Sequence, residues 1–405
     1  MDGDELDPVL IIGIDLGTTF SAVATMGEHG RAVALPNRLD EPVTPSVVYF
    51  ESRSCVFVGS AARNAATMDP DNAVALIKRR MGTEFGLLFH GVRHTPESVS
   101  ALILRSLVDD ARAQLGADGP VRAVITVPAY FGIREREATF QAARLADIEV
   151  LELLSEPVAA ALHYGALHHG VSVHAGGAVL VYDLGGGTFD TTVLRVDADG
   201  ARVVAADGDS RLGGADWDER ITDFLLESFA KAVDSVDPYE DETFLQDVRL
   251  VAETAKRELS SKTSRPVVLR CGGTSATVPF DRTTLEGIGA DLVGRSMAIV
   301  ARVLESAVAK GVRRVDQVVL VGGSTKMPAI AAAVAAELRL TPTLVEPDFA
   351  VVLGAAIRAH QLAGDGSRTR LGATRSVVPR SFGILVDDSH DPGAARQVVV
   401  HTVHH

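Results

Sequence analysis

The sequence predicts an α/β fold built from two similar halves, and three observations carry that expectation. Short runs rich in branched residues (VLIIGID, AVITVP, AVLVYD and QVVLVGG) have the composition of strands buried on both faces. Amphipathic stretches of helical period lie between them. One pattern also occurs twice: residues 11–24 read IIGIDLGTTFSAVA and residues 178–194 contain AVLVYDLGGGTFDTTVL. Each is an apolar strand ending in Asp-Leu-Gly, a Gly/Thr turn and a second strand. The spacing of Asp15 and Asp183 is too long for a solenoid repeat and suits two similar domains. Two buried hairpins sharing a pattern by coincidence is the alternative.

The 405 residues suffice for two to four domains, and 46% hydrophobic with 23% charged residues is an ordinary globular composition. Acidic residues outnumber basic ones 53 to 39, a net charge of −14, and no basic block breaks that balance. Nucleic acid and anionic membrane surfaces are therefore not expected partners. No apolar run approaches the ~18 residues of a membrane span. Residues 1–7 lack the basic and apolar regions of a secretory signal. With Cys55 and Cys271 as the only cysteines, a disulfide framework and a cysteine zinc site are excluded, and a cytoplasmic location is expected.

Along the chain, the first Gly/Thr turn is followed by Lys78 in ALIKRRMG, which reads by itself as an exposed lysine beside two arginines. A helix is predicted from Thr95 to about Leu115. Thr95 caps it, Pro96 suits its first position, Gly116 ends it, and Val99, Leu102, Ile103, Leu107, Ala111 and Leu115 share one face. Glu156 opens the helix VAAALHYG, where a carboxylate suits the positive end of the dipole. His163, His168, His169 and His174 read as loop residues without metal spacing.

In the second hairpin, DLGGGTFD places Gly185, Gly186, Gly187 and Thr188 between Asp183 and Asp190. Glycines let successive backbone N–H groups converge on an anion, and threonines add donors. Carboxylates beside a phosphate need a cation between them, for which Mg²⁺ is the natural candidate. Gly213 and Gly214 in RLGGADWDER precede a helix whose Trp217, Ile221, Phe224 and Leu225 face a core. In VRLVAETAKRELSS, Val248, Val251, Ala252, Ala255 and Leu259 form a buried stripe. Glu253, Lys256, Arg257 and Ser260 share a second face, either a solvated ion-pair face or a wall for a sugar and base. QVVLVGG then leads through Gly322, Gly323, Ser324 and Lys326 to a helix started by Pro328, either a plain βα turn or a nucleotide edge. Residues 363–376 read as a polar linker, and a short strand-like tail follows.

Taken in order, IIGIDLGTTFS, TPSVVYF, IKRRMG, AVITVPAYF, LLSEPVAAALHYG, VYDLGGGTFD, GDSRLGG, AKRELSS, VVLVGGSTKMP and EPDFAVVLGAA resemble the ATPase half of the 70-kDa heat-shock chaperones. The resemblance covers about residues 10–362. It implies the duplicated ribonuclease-H-like fold shared with actin and sugar kinases, with two lobes around a nucleotide cleft: residues 1–176 and 177–362, the last helix returning to the first lobe. It implies ATP or ADP, Mg²⁺ and K⁺ as ligands. Gly17, Thr18, Thr19 and Phe20 would form the first nucleotide loop and Gly185, Gly186, Gly187 and Thr188 the second. Asp15 and Asp183 would hold hydrated Mg²⁺ and, with Thr188 and Asp190, potassium. Lys78 and Glu156 would serve the γ-phosphate and the attacking water. Gly213 and Gly214 would lie near the nucleotide. Glu253, Lys256, Arg257 and Ser260 would line an adenosine pocket opposite Gly322, Gly323, Ser324 and Lys326, with Asp348 near the base. Pro128 and Arg136 match positions that transmit nucleotide state.

The resemblance further implies client proteins, a GrpE-like nucleotide-exchange factor and a J-domain co-chaperone as partners. Two departures bear on this. Relatives carry Arg where Lys326 stands, and their linker is leucine-rich where this one is polar. The tail 377–405 reads as the start of a peptide-binding β-domain, truncated or naturally short. A nucleotide-dependent regulatory module with little hydrolysis, and a metabolite kinase, are the rival functions.

Overall fold

In a computed structural model, residues 8–167, 177–197, 200–233, 235–364, 383–385 and 398–400 are described. The first sheet contains β1 (Leu10–Asp15), β2 (Phe20–Met26), β3 (Ala32–Leu35), β4 (Val121–Val127) and β5 (Ile148–Ser155), in the order β5-β4-β1-β2-β3. The second contains β6 (Gly177–Leu184), β7 (Phe189–Asp197), β8 (Gly200–Asp209), β9 (Gln317–Val321) and β10 (Thr343–Leu344), in the order β10-β9-β6-β7-β8. Both share one plan. A central first strand has an antiparallel hairpin on one side and two parallel strands on the other. The four apolar runs singled out in the sequence supply β1, β4, β6 and β9, the parallel strands at the middle of each sheet. Their burial on both faces is why they lack polar alternation.

Nine helices occur among the described residues: α1 (Ser60–Met68), α2 (Pro96–Leu115), α3 (Ile133–Leu145), α4 (Glu156–Leu167), α5 (Gly214–Ala232), α6 (Glu242–Leu259), α7 (Arg282–Ala309), α8 (Pro328–Leu338) and α9 (Ala350–Ala363). α2 and α3 cover the outer face of the first sheet, while α5, α7 and α8 cover that of the second. α4 and α9 lie together between the sheets. α4 leaves the first sheet and packs on the second; α9 leaves the second and packs on β1, β2 and β4 of the first. The approach is close enough that a Cβ on Gly354 of α9 would meet Ala159 O of α4 at 1.8 Å, and one on Gly13 of β1 would meet Ala356 N at 2.2 Å. Each half thus lends a helix to the other, which fixes the line along which the two sheets face one another.

α2 follows its sequence signals. Thr95 Oγ1 accepts from Ser98 N at 3.3 Å, Pro96 takes the first position, and Gly116 closes the helix with φ of 62°. Burying each of Val99, Ile103 and Leu107 contributes about 1.5–3 kcal/mol. Leu115 departs from expectation: it is 40% exposed, and Leu104 and Val108 are buried instead. Successive steps of four residues overrun the 3.6-residue turn, so by Leu115 the stripe has rotated off the core. His163 belongs to the expected helix VAAALHYG, and it sits buried on α4 and not with the other histidines in a loop. Trp217 packs in the core, while Phe224 is only half-buried. In the tail, the strands Gly383–Leu385 and Val398–Val400 pair antiparallel. His168, His169, His174 and nearly all of the expected linker lie outside the described residues.

Candidate nucleotide site

The two hairpin turns, β1–β2 and β6–β7, meet across the line between the sheets. A Cβ on Gly186 would lie 2.1 Å from Thr19 Oγ1, and one on Gly187 would lie 2.2 Å from Thr18 Cγ2. In the second turn the carbonyls are held from outside: Gly185 O accepts from Gly214 N (3.0 Å) and Ser324 Oγ (2.9 Å), Gly186 O from Ala215 N (2.7 Å) and Gly187 O from Arg79 Nε (2.8 Å). In a trans peptide the next N–H points opposite to its carbonyl, so the amides of Gly186, Gly187 and Thr188 turn away from those partners. The first turn repeats the device. Ser46 Oγ donates to Gly17 O at 2.8 Å and Ser46 N to Thr19 O at 2.8 Å, while Ser21 Oγ, 2.9 Å from Ser46 Oγ, accepts from Gly17 N. The hydroxyls of Thr18 and Thr19 are buried without a hydrogen-bond partner. Such atoms cost about 1–3 kcal/mol each unless something satisfies them.

Between the turns lies a cavity of about 470 Å³, within the range of small-molecule sites. Asp15 and Asp183 both line it, as the duplicated pattern requires. So do Gly17, Thr18, Thr19, Lys78, Glu156, Gly185, Gly186 and Thr188, and Phe20 beside Arg257. Toward the rim come Glu253, Lys256, Arg257, Ser260, Gly322, Gly323, Ser324, Lys326 and Asp348. Four expected residues stand behind this lining. Asp190 is 2% exposed on β7, in register with Asp183. Gly187 and Gly213 back onto each other, and Gly214 allows Ser324 and Lys256 to approach its Cα.

Lys78 corrects the reading of an exposed lysine. It is 6% exposed on a short 3₁₀ turn (Ile77–Arg80), and its Nζ lies 2.6 Å from Glu156 Oε1 at the start of α4. Burial works against its charge, but Glu156, Asp15 and Asp190 together outweigh this and raise its pKa. Burial raises Glu156 against the pull of Lys78. It raises Asp15 too, despite Lys78 and a 2.8 Å hydrogen bond from Thr126 Oγ1. Burial, then the charges of Glu156 and Asp15, push Asp183 well above the usual carboxylate range. Asp190 follows for the same first reason, with Glu156 and Asp183 adding to it. Four carboxylates thus crowd one lysine, an arrangement that favours an added cation. No group of three or more His, Cys, Asp or Glu side chains among the described residues is disposed to hold a metal directly. An Mg²⁺ here fits as a hydrated ion shared with phosphate oxygens.

At the rim, the second face of α6 lines the cavity, and part of it still forms ion pairs. Lys256 Nζ donates to Gly214 O and to Asp218 Oδ2, both at 2.7 Å. Glu253 pairs with Arg63 of α1 and lies 3.8 Å from Arg257, whose guanidinium stands 6.0 Å from the centroid of the Phe20 ring. Lys326 pairs with Asp348. Away from the cavity, Arg136 donates to Phe131 O and Leu153 O. Sequence reasoning missed Arg63, Arg79, Thr126 and Asp218. Arg79 adjoins Lys78 and donates to Gly187 O and Asp216 Oδ2, so the basic pair in IKRR was its only local signal.

A duplicated sheet plan, exchanged helices and paired glycine turns over a polar cavity define the two-lobed class that includes actin and the 70-kDa chaperone ATPases. A family model described as Hsp70 protein matches residues 11–89 and 86–400. The chain belongs to the Hsp70 family. It is 38% identical over 385 residues to proteins named Chaperone protein DnaK from Thermotoga petrophila, Thermotoga sp. strain RQ2 and Thermotoga maritima. Those matches cover 93% of this chain and 63% of each relative. No helix among the described residues is long and apolar enough to cross a membrane.

Proposed function

We propose that this chain is a chaperone ATPase module that binds Mg-ATP between its lobes and hydrolyses it to ADP and phosphate. One observation carries the reading. Two glycine turns with outward-held carbonyls and orphaned threonine hydroxyls face the buried Lys78–Glu156 pair inside one cavity. The lobes are residues 1–176 and 177–362.

Thr18, Thr19 and Thr188, with the turn amides, would hold the phosphates. Lys78, kept charged by its carboxylate neighbours, would donate to the γ-phosphate, and Glu156 would accept from and orient the attacking water. Asp15 and Asp183 would hold hydrated Mg²⁺, which supplies charge neutralisation as phosphate charge shifts. Asp190 and Thr188 would join them around K⁺. Lys256, with Glu253 and Ser260, would bond the ribose. Arg257, Lys326 and Asp348 would border the base beside Gly322 and Gly323. Turnover is expected to be slow, because lobe movement is the output.

In a longer protein of the kind its relatives represent, client polypeptides and a GrpE-like exchange factor are the expected partners. A J-domain partner has less support, since residues 363–376 are polar where relatives carry leucines. The cytoplasm is the expected compartment, consistent with Cys55 and Cys271 both being free thiols. Asp183→Ala and Lys78→Ala should each abolish hydrolysis of labelled ATP in single turnover with the circular dichroism unchanged. Undiminished turnover in both variants overturns the assignment. Tight binding by the parent protein without hydrolysis favours the regulatory-module reading.

A further inference from the structure

Glu156, the first residue of α4, holds Lys78 at the buried end of the cavity, and His163 lies two turns further along the same helix, behind the cavity lining. His163 is 5% exposed, and its Nε2 lies 2.7 Å from Glu346 Oε2. A carboxylate only accepts, so Nε2 carries the proton. Glu346 has φ of +30°, a left-handed conformation unfavourable for any residue but glycine. Its carbonyl accepts from Phe349 N at 2.7 Å and Ala350 N at 2.8 Å, which starts α9. The intervening Pro347, Asp348 and Phe349 line the cavity. Pro347 O also accepts from Gly322 N at 2.9 Å, and Asp348 pairs with Lys326. A buried imidazole on the helix of the phosphate end therefore grips the strained residue that opens the opposite wall.

We propose that His163 is a positioning residue for the nucleotide base: through Glu346 it fixes the turn 346–349 against the outer end of the cavity, and so sets base affinity without touching the phosphates. This rests on the nucleotide reading above. The strain at Glu346 is what gives the contact its purpose. A left-handed glutamate relaxes unless its surroundings hold it, and the imidazole is a fixed partner for its carboxylate.

The test compares the affinity of the full chain for Mg-ATP with that for magnesium tripolyphosphate, which has the phosphates but no base. His163→Ala should weaken Mg-ATP about five-fold, the size expected of a half-exposed charged hydrogen bond. Tripolyphosphate affinity should not change, and KM should rise without a matching fall in kcat. His163→Gln, which keeps a donor at similar reach, should recover most of the loss. Glu346→Ala should match His163→Ala, and the double variant should be no worse than either. Because the Glu346 side chain is half exposed, that variant carries the test if His163→Ala fails to fold. Equal Mg-ATP affinity in variant and parent, or parallel loss of both ligands, overturns the proposal. A parent protein that binds tripolyphosphate but not ATP overturns it together with the nucleotide reading.

Discussion

Gly186 and Thr19 occupy one space: a Cβ on residue 186 would lie 2.1 Å from Thr19 Oγ1 and 2.5 Å from its Cβ. The two turns that face a ligand from opposite lobes are therefore in van der Waals contact, and the contact exists because residue 186 has no side chain. Gly186→Ala must push the turns apart, since Thr19 is branched at Cβ and cannot swing clear. We expect nucleotide affinity, measured by calorimetry, to fall more than about ten-fold, with a change in melting temperature below about 4 °C. Unaltered binding by this variant means that the turns do not clasp the phosphates.

The sequence made the four central strands and both hairpins legible because their signals are local: branched runs, Asp-Leu-Gly endings and glycine turns. It also made Asp15 and Asp183 legible as partners, since duplication implies equivalent positions. What it could not supply was anything set by the meeting of distant segments. Lys78 looks exposed until the start of α4 is brought over it. Ser46 does its work on a turn 29 residues away, and Arg63 meets Glu253 at a separation of 190. His163 lies in the helix that the sequence predicts at VAAALHYG, but its contact with Glu346 spans 183 positions and leaves no local signal. The α6 face stayed ambiguous for the same kind of reason: its spacing suits an ion-pair face and a pocket wall equally, and only packing against α1 and α5 decides.

Arg79 is a strut between lobes, running from the turn that carries Lys78 to Gly187 O at 2.8 Å and Asp216 Oδ2 at 2.9 Å. Asp216 in turn accepts from Gly213 N at 2.7 Å. A lysine could make one of these contacts but not both in the same plane. Arg79→Lys should therefore speed nucleotide release several-fold, read by displacement of a fluorescent nucleotide in stopped flow, and Arg79→Ala more so. Equal release rates for all three proteins would show that the strut does not hold the cleft closed.

Lys326 sits at the cavity rim, 42% exposed, paired with Asp348. A guanidinium there could keep that ion pair and also lay a flat face on a bound base, which an ammonium cannot. Lys326→Arg should tighten ADP binding by about two- to five-fold, an increment in line with a partly exposed stacking contact. ATP and ADP should gain alike, because the phosphates are remote from the change, and tripolyphosphate should gain nothing. A gain shared by tripolyphosphate would place the effect in the general field of the cleft.

The three glycines of α7 should respond to alanine in opposite directions. A Cβ on Gly289 would lie 2.0 Å from Trp217 Nε1, within the most heavily buried part of the second half. Gly289→Ala must displace that ring and should destabilise the protein by about 1–3 kcal/mol, as overpacking does elsewhere. Gly287 and Gly294 are exposed on the same helix and have nothing within 4 Å of the position a Cβ would take. Alanine there only removes backbone freedom from the unfolded chain, and each substitution should stabilise by about 0.5–1 kcal/mol. Denaturant unfolding followed through Trp217, the single tryptophan, reads all three. A destabilising Gly294→Ala would mean that this face of α7 is covered, and a neutral Gly289→Ala that Trp217 is not packed against it.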